Sequence, residues 1–417
     1  MQRIKNLYHF FTALFSSFYF RHPGDKMTVI GITGTDGKTT TTHLVYHILR
    51  TAKLPVSFVS TVEANIAGQV IDTGFHVTTP SPFKLQKLIS LAYTKGSRYL
   101  VLEITSHALD QYRVFGSSVD IALITNISHE HLDYHKNMDN YRNSKAKIIR
   151  DAKYAVLNSD DKNFSFLKSK VKGNLVTFSL KKKNKINYAD IPANPHLLGN
   201  YNKYNILSSI KVAEILNIDA KIIKKAIKSF KGIPGRLEEV KTKKHFKIYI
   251  DFAHKLNALK QVLTTVRQFT PGRVIAVFGA AGLRDHLKRP LMGKVAGELA
   301  DITVLTAEDP RTEDVRLIIN SIARGLLSKK VIEMNKFADI SQFVNGLKYF
   351  YKIPDRQEAI NFAIRKLASS GDTVIICGKG HEKSMCYQKT EYPWNEKQAV
   401  LKALYGPVKD TQETKIS

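Results

Sequence analysis

Short apolar strands that alternate with helices constrain the fold of this 417-residue chain more than any other feature. The runs 27–33, 98–104 and 119–127 are typical of buried strands. Helical patterns begin near Lys38 and Met138. Because helices that connect such strands must cover the faces of the sheet, this alternation predicts an α/β fold with parallel, doubly wound sheets.

The same alternation restarts after residue 232, which predicts a second α/β domain. Its strands are expected at 247–253, 273–280, 301–307 and 372–378. The turn Gly232-Ile-Pro-Gly235 is the best candidate for the linker. The sequence thus predicts an N-terminal helical segment (1–26), a central domain (27–231), a C-terminal domain (232–407) and a polar tail (408–417).

The charge of the chain is strongly positive, with 64 Lys and Arg against 36 Asp and Glu. Lysines are spread along the sequence instead of forming one block, which favours a solvated surface over a nucleic-acid partner. An anionic substrate such as a nucleotide would be attracted by this field. The two cysteines, Cys377 and Cys386, provide neither a disulfide framework nor a four-thiolate metal site, and this usage is typical of the cytoplasm.

The apolar, aromatic segment 7–20 follows a basic start but is too short to span a bilayer. No small-residue cleavage site follows it. We expect a helix that packs on the next domain, and a weak peripheral membrane contact through residues 1–26 stays open.

A glycine-rich turn links the strand 27–33 to the following helix. Backbone N–H groups at such a helix N-terminus bind phosphate, Lys38 can neutralise the β- and γ-phosphates, and Thr39 can hold Mg²⁺. A general P-loop has glycine where Ile32 stands, so this is a variant loop. The predicted ATP-binding residues are Gly34, Thr35, Asp36, Gly37, Lys38, Thr39 and Thr40.

The loop T-G-T-D-G-K-T resembles that of Mur ligases and of folylpolyglutamate synthases. Further motifs, in the same order as in the family, resemble the MurE branch of the Mur ligases. They are Glu103-Ile-Thr-Ser106-His107-Ala-Leu109, Asn126 with His129-Glu-His131-Leu-Asp-Tyr-His135, Gly199-Asn-Tyr-Asn202, Pro234-Gly-Arg236-Leu-Glu238, Asp251-Phe-Ala-His254, Gly282-Leu-Arg284-Asp285, Glu308-Asp309-Pro310-Arg311 and Gly378-Lys-Gly-His-Glu382.

The resemblance implies a P-loop-type Mur ligase central ATPase domain followed by a Rossmann-like C-terminal domain. Mur ligases transfer the γ-phosphoryl group of ATP to a carboxylate, and an amine then attacks the acyl phosphate. Glu103 and His131, each expected at the end of a buried strand, would hold Mg²⁺ with Thr39, and two ions are implied. Lys38, His131 and Lys145 are the implied catalytic residues. Lys145 resembles the family's lysine that captures CO₂ as a carbamate, although by itself it is typical of an exposed helix lysine.

The remaining site residues are also implied by the resemblance. Asn202, Arg236, Asp251 and His254 would complete the nucleotide site. Thr78, Thr79, Ser106, Gln111 and Arg113 would receive the D-glutamyl end of the precursor. The incoming amino acid would be bound by Arg284, Glu308, Asp309, Arg311, Gly378 and Glu382, with the two acidic neighbours of Arg311 facing a distal ammonium. Pairing of Arg311 with Glu313, away from the site, is the alternative.

Three departures from the family pattern stand out. Residues 1–26 are too few for the UDP-binding domain of three-domain members, so either this helix forms a reduced site or the substrate lacks part of that group. The motif D-Y-A-H-T-P-D reads Asp251-Phe-Ala-His254-Lys255-Leu256-Asn257. The motif D-N-P-R has Asp309 in place of asparagine but keeps the arginine, whose planar fork suits a carboxylate.

The resemblance implies a cytoplasmic, monomeric, ATP-dependent ligase that adds meso-diaminopimelate to UDP-N-acetylmuramoyl-L-alanyl-D-glutamate. The alternatives are a lysine-adding or divergent Mur ligase whose precursor lacks full UDP recognition, and a non-catalytic nucleotide-binding partner. Amidotransferase-linked Mur homologues do not fit, because they have a four-cysteine zinc insertion and this chain has only two cysteines.

Overall fold

The structure, a computed structural model, describes residues 2–71, 79–182, 189, 191, 193–336, 344 and 346–406. The chain divides into two compact units, Met1–Lys231 and Gly232–Ser417. Parallel sheets covered by helices are found in both units, so the predicted α/β fold is confirmed. Within the described residues, no helix is both long and apolar enough to cross a membrane.

The first unit is built around a sheet in which the described residues form eight strands, in the order β4-β3-β2-β5-β1-β6-β7-β8. The strands are β1 (Thr28–Thr33), β2 (Val56–Val59), β3 (Ala64–Ile66), β4 (Gln69–Ile71), β5 (Tyr99–Glu103), β6 (Val119–Ile124), β7 (Tyr154–Asn158) and β8 (Asn174–Phe178). The helices are α1 (Gln2–Tyr19), α2 (Lys38–Thr51), α3 (Pro82–Thr94), α4 (Ser106–Asp110), α5 (Leu132–His135), α6 (Met138–Arg150), α7 (Phe164–Lys168), α8 (Asn200–Ile215) and α9 (Ala220–Ser229).

In the second unit the described residues give a sheet of seven strands, in the order β13-β14-β12-β11-β15-β10-β9, and a hairpin of two. The strands are β9 (Glu238–Glu239), β10 (Lys247–Asp251), β11 (Val274–Phe278), β12 (Ile302–Leu305), β13 (Ile332–Glu333), β14 (Tyr349–Lys352) and β15 (Thr373–Cys377), with β16 (Ser384–Tyr387) and β17 (Thr390–Pro393) as the hairpin. The helices are α10 (Leu256–Phe269), α11 (Lys288–Leu299), α12 (Val315–Leu327), α13 (Arg356–Phe362) and α14 (Glu396–Tyr405).

The centre of the first sheet positions the glycine-rich loop. Strand β1 lies between β5 and β6 and runs parallel to both, with Ile32 opposite Glu103 and Thr33 opposite Ile124. Because the carboxyl ends of parallel strands meet at one edge, the loop after β1, the carboxylate of Glu103 and the turn after β6 come together.

Candidate functional site

The glycine-rich loop between β1 and α2 requires glycine at two positions. Gly34 and Gly37 have φ of +152° and +81°, which side chains rarely adopt. A Cβ on Gly34 would lie 1.8 Å from Thr125 Oγ1, and one on Gly37 would lie 2.2 Å from Asn205 Oδ1. The loop therefore packs directly against the end of β6 and against α8.

The loop is fastened to the turn after β6 by Asn126. Its amide oxygen accepts a hydrogen bond from the Asp36 N–H at 3.0 Å, and its Nδ2 donates to the Asp36 carbonyl at 3.0 Å. Thr125 Oγ1 donates to the same carbonyl at 2.7 Å. Asn126 was named only as part of a family motif and Thr125 not at all, since nothing local to them indicates a contact with a loop 90 positions earlier.

Lys38, the first residue of α2, folds back over the loop. Its Nζ donates to the carbonyls of Gly34 and Thr35 at 3.1 and 2.8 Å. The half-buried ammonium thus lies where a helix N-terminus attracts phosphate.

The Glu103 carboxylate is buried beside the start of α2. It accepts hydrogen bonds from the hydroxyls of Thr39 and Thr61 at 2.9 and 2.8 Å and from the Thr61 N–H at 2.9 Å. Carboxylate and hydroxyl oxygens are the hard ligands that Mg²⁺ prefers, so these residues fit the ion, with phosphate and water oxygens completing its shell. Thr61 was not predicted as a site residue.

The sequence predicts His131 at the end of a buried strand, and this prediction is wrong. Strand β6 ends at Ile124, and His131 precedes the short helix α5 with φ 54° and ψ 31°. Its ring contacts those of His107 and Tyr141, with centroids 4.9 and 6.3 Å away. Within the described part of the chain, no group of three or more His, Cys, Asp and Glu residues could hold a metal.

Lys145 is buried, with 1% of its surface exposed, so its interpretation as an exposed helix lysine is wrong. Its Nζ donates to the Gly34 carbonyl at 2.6 Å and lies 4.8 Å from the centre of the Tyr141 ring. The side chain thus ends directly beneath the glycine-rich loop. Helical spacing indicates that Lys145 is buried, because it lies on the same face of α6 as the buried Tyr141, Ser144, Ile148 and Ile149.

Three of the residues predicted to bind the precursor, Thr79, Gln111 and Arg113, form one hydrogen-bonded group, and Thr78 lies outside the described residues. Arg113 donates through Nη1 to the Thr79 carbonyl at 3.3 Å and through Nε to Gln111 Oε1 at 2.8 Å. Gln111 Nε2 donates to the Tyr134 hydroxyl at 3.1 Å. Burial raises the pKa of Tyr134 to about 12, so its phenol stays protonated at neutral pH.

Ser106 lies beside this group at the start of α4. Its hydroxyl is 3.0 Å from His135 Nε2, and its carbonyl accepts from Ser144 Oγ at 2.8 Å. The polar side chains that follow β5 therefore join the segment around α5 to helix α6.

Asn202 lies in the first turn of α8, near the loop. Its Nδ2 donates to the Leu198 carbonyl at 2.8 Å, and its Oδ1 accepts from Asn205 Nδ2 at 2.9 Å. Asn205 packs against Gly37, so Asn202 is connected to the glycine-rich loop through its hydrogen bond with Asn205.

The second unit holds the other predicted nucleotide residues at the end of β10. Asp251 accepts from the N–H groups of Leu237 and Ala253 at 2.7 and 2.8 Å, and the Arg236 guanidinium lies 4.6 Å from the centre of the Phe252 ring. Burial raises the pKa of Asp251, and the charge of Arg236 opposes that shift.

His254, in the turn after β10, is held as a neutral imidazole. Burial lowers its pKa well below the usual range, with Lys255 and Lys288 adding to the effect. Its Nδ1–H donates to the Phe252 carbonyl at 2.8 Å, which leaves Nε2 as a hydrogen-bond acceptor.

The predicted amino-acid residues follow β12 and β15, two strands on either side of β11. Lys379, which was not predicted as a site residue, is fully buried and pairs with Asp309 at 2.8 Å and with Glu382 at 2.5 Å. Asp309 Oδ1 also accepts from the Cys386 N–H at 3.0 Å. The Asp309 carboxylate, which was expected to face a distal ammonium, therefore binds groups of the protein itself in this structure.

Glu308 is the unusual carboxyl of this group. It is 5% exposed, and its Oε2 has no hydrogen-bond partner in the described structure. Burial raises its pKa to about 7, against the opposing charges of Lys288 and Lys379. Gly378, with φ +116°, leaves the space beside this carboxyl, since a Cβ there would lie 3.3 Å from it.

Arg311 has a left-handed backbone that is held by the hairpin. Its N–H donates to the Cys386 carbonyl at 3.0 Å, and its carbonyl accepts from Gln388 at 2.7 Å. Glu313, the alternative partner, pairs instead with Arg289 at 2.9 Å. The alternative in which Arg311 pairs with Glu313 is thus not seen. Arg284, another residue predicted to bind the amino acid, lies exposed on the loop before α11.

A buried ion pair, Arg356 with Glu396, positions these loops. Arg356 also donates to the carbonyls of Ala307 and Cys377 at 2.8 and 2.9 Å, next to Glu308 and Gly378. It is a positioning residue that the sequence did not reveal.

We expect Arg356→Met to lower the free energy of unfolding by about 3 kcal/mol or more, because a buried carboxylate loses its partner. Urea unfolding would measure the loss. Arg324→Met, at an exposed helix position, is the matched control and should change stability by no more than about 0.5 kcal/mol. Equal stability of the two variants would contradict the role given to Arg356.

Similarity to known proteins covers both units. Residues 32–213 match the family described as "Mur ligase middle domain", and residues 235–380 match "Mur ligase, glutamate ligase domain". A UDP-N-acetylmuramoyl-L-alanyl-D-glutamate--2,6-diaminopimelate ligase of Caldanaerobacter subterraneus is 34% identical over 411 residues, 94% of this chain and 81% of the relative. The chain belongs to the Mur ligase family.

Other relatives of this Mur ligase agree. A UDP-N-acetylmuramyl-tripeptide synthetase of Borreliella burgdorferi is 33% identical, covering 97% of this chain and 81% of the relative. A solved diaminopimelate ligase structure is 27% identical, with a TM-score of 0.60 over 91% of this chain and 78% of the other. The Mycobacterium tuberculosis folylpolyglutamate synthase complexed with ADP and AMPPCP, 16% identical with a TM-score of 0.69 over 88% and 92%, shares the fold.

Proposed function

We propose that this Mur ligase is an ATP-dependent enzyme that adds meso-diaminopimelate to UDP-N-acetylmuramoyl-L-alanyl-D-glutamate in peptidoglycan precursor synthesis. The supporting observation is the convergence of the Lys38 ammonium, the Glu103 carboxylate and the buried Lys145 on one phosphate loop. Relatives at 34 and 35% identity are named as 2,6-diaminopimelate ligases, and one at 33% is named as a UDP-N-acetylmuramyl-tripeptide synthetase.

The reaction follows from this arrangement. The loop N–H groups and Lys38 hold the ATP phosphates while a D-glutamyl carboxylate oxygen attacks the γ-phosphorus, ADP leaves, and an acyl phosphate forms. The amine of diaminopimelate then attacks the acyl carbon, phosphate leaves, and the amine gives up a proton as the amide bond forms. Mg²⁺, held by Thr39 and Glu103, would neutralise charge on the phosphates.

The precursor carboxylate is proposed to lie beside Thr79, Gln111 and Arg113. The guanidinium of Arg113 is already oriented by Gln111 and the Thr79 carbonyl, so it can bind an anion with little loss of side-chain freedom.

A test of the whole proposal follows the carboxylate oxygen. The chain is incubated with ATP, Mg²⁺, UDP-MurNAc-dipeptide labelled with ¹⁸O in the D-glutamyl carboxylate, and diaminopimelate, lysine or glycine. Mass spectrometry should show the tripeptide product with diaminopimelate and one ¹⁸O in the released phosphate. ATP hydrolysis without transfer of label, or no turnover with any amino acid, would refute the acyl-phosphate mechanism.

We further propose that Lys145 carries a carbamate. Its neutral amine would add CO₂ and lose one proton, and the remaining N–H could still donate to the Gly34 carbonyl. The carboxylate so formed would help to hold a second Mg²⁺.

Lys145→Met should lower turnover about 100-fold, as expected for lost support of a metal site. Small carboxylates such as acetate should restore part of the activity by replacing the missing anion. In ¹³C-bicarbonate the wild type should show a carbamate resonance that the variant lacks. Lys168→Met, at an exposed position, is the control. Normal activity of Lys145→Met in CO₂-depleted buffer would contradict the proposal.

A further inference from the structure

Helix α1 packs on the first unit through its smaller side chains. Ala13, Ser16 and Ser17 are buried, and Ser17 Oγ donates to the Gly116 carbonyl at 3.4 Å. The larger Phe10 also packs on this inner side, 4.7 Å from Phe115 and 5.7 Å from Tyr112 between ring centres. The helix is therefore anchored by a narrow face of mostly small residues.

The opposite side of α1 carries the large apolar side chains, which we call the outer face. These residues recur at helical spacing and are 42% (Leu14) to 73% (Phe18) exposed. They are Leu7, Tyr8, Phe11, Leu14, Phe15, Phe18 and Tyr19. A contiguous exposed apolar face of this kind marks a binding surface.

Neighbouring aromatic residues extend the outer face. Phe83 of α3 lies 6.0 Å from Tyr19 between ring centres and is itself 42% exposed. A groove of about 510 Å³ is lined by Phe15, Phe18, Tyr19, Arg21 and His22. The apolar surface of α1 thus extends onto α3 through Phe83, and Arg21 lies beside it after the C-terminal end of α1.

The charges around the outer face are mainly positive, with the exposed Asp25, between Arg21 and Lys26, as an exception. Residues 1–24 contain no Asp or Glu. Lys5, Arg21 and Lys26 are exposed along and after the helix, and Lys87 lies one turn beyond Phe83 on α3. The surface therefore combines exposed aromatic rings with a cationic rim.

We propose that the outer face of α1 binds an anionic lipid bilayer, with the helix lying in the plane of the interface. Aromatic side chains enter the boundary between headgroups and acyl chains, and lysine and arginine contact anionic headgroups. A second copy of the chain fits less well, because a two-fold contact through this face would bring its cationic rims together.

The inner side of α1 connects this surface to the proposed precursor site. Asn6 Nδ2 donates to Asp110 Oδ2 at 3.2 Å, and the same carboxylate oxygen accepts from the Tyr134 hydroxyl at 2.9 Å. Tyr134 in turn contacts Gln111. A bilayer bound to the outer face would thus lie about one helix diameter, roughly 10 Å, from these residues.

Binding can be measured by flotation of the full chain with vesicles. Wild type should bind vesicles of phosphatidylcholine with about 30% phosphatidylglycerol and bind pure phosphatidylcholine vesicles at least about tenfold more weakly. Phe11→Ser/Phe15→Ser/Phe18→Ser should lower the partition coefficient at least about tenfold while keeping the melting temperature, because all three side chains are exposed.

Matched controls use exposed residues elsewhere. Leu287→Ser/Leu317→Ser/Leu327→Ser removes three side chains that are 83, 66 and 52% exposed and should leave binding unchanged. Arg21→Glu/Lys87→Glu should weaken binding, whereas Lys221→Glu/Lys225→Glu, with the same change in net charge, should have less effect.

Three results would overturn the proposal. They are no binding to anionic vesicles, equal binding to both kinds of vesicle, and a wild-type dimer without vesicle binding that the three serine substitutions convert to a monomer.

Discussion

Lys38→Ala should lower kcat/KM by about 1,000-fold, the size of effect expected when a cation on the transferred phosphoryl group is lost. Charge develops on the phosphate oxygens in the transition state, and Lys38 is the loop residue whose ammonium can meet it. In the structure this ammonium is held at the loop by the carbonyls of Gly34 and Thr35. It is therefore positioned before any substrate binds.

The fold should survive this change. The Lys38 side chain is half-buried and donates to the backbone carbonyls of Gly34 and Thr35, so the loss of stability should be about 1 kcal/mol. Phosphate release with saturating substrates measures turnover, and thermal unfolding measures stability. Lys38→Met keeps most of the apolar stem and should be equally inactive. Lys168→Ala is a control at an exposed helix position, and wild-type rates for Lys38→Ala would refute the assignment of the ATP loop.

The sequence was sufficient to predict the sheet and the phosphate loop because both depend on local pattern. Runs such as 273–280 show apolar residues bounded by glycine, and the structure has β11 within that range. The loop places Gly34 and Gly37 between a strand and a helix. This local pattern directs backbone N–H groups at the helix N-terminus towards a phosphate.

The contacts that complete the site could not be predicted, because they join residues far apart in the sequence. Lys379 pairs with a carboxylate 70 positions away, and Asn126 fastens a loop 90 positions away. No spacing rule connects such residues. Lys145 differs, since helical periodicity alone places it on the buried face of α6.

Helix α1 was predicted to pack on the next domain, and it does, but with the opposite orientation to the one that hydrophobicity favours. Its Ser16 and Ser17 are buried while Phe15 and Phe18 are exposed. The reason is the close approach to the backbone at Gly116, where a Cβ would lie 2.6 Å from Ser17. Small side chains are required there, so the large ones remain outside.

The choice of amino acid should depend on Arg311. Diaminopimelate differs from lysine by a carboxylate at the far end of its side chain, and such a carboxylate needs a paired cation once it is buried. None of the ion pairs among the described residues involves Arg311. The nearby carboxylate of Glu313 pairs with Arg289 instead. Its planar fork is thus available for two parallel hydrogen bonds to a carboxylate.

The structure also changes the partner expected for the distal ammonium. Asp309 pairs with Lys379, whereas Glu308 Oε2 is buried without a hydrogen-bond partner. An ammonium group placed beside Glu308 would stabilise its ionised form and lower the pKa that burial has raised to about 7. Since both diaminopimelate and lysine carry this ammonium, Glu308 should serve either amino acid and leave the selection to Arg311.

Arg311→Ala should therefore lower kcat/KM for diaminopimelate about 100-fold, which corresponds to roughly 3 kcal/mol for a lost charged pair, and should affect lysine much less. Arg311→Lys keeps the charge without the fork and should recover only part of the loss. Initial rates with each amino acid as the varied substrate measure both effects, with Arg324→Ala as the control for an exposed arginine. Equal losses for diaminopimelate and lysine, or a wild-type enzyme that prefers lysine, would show that another residue selects the amino acid.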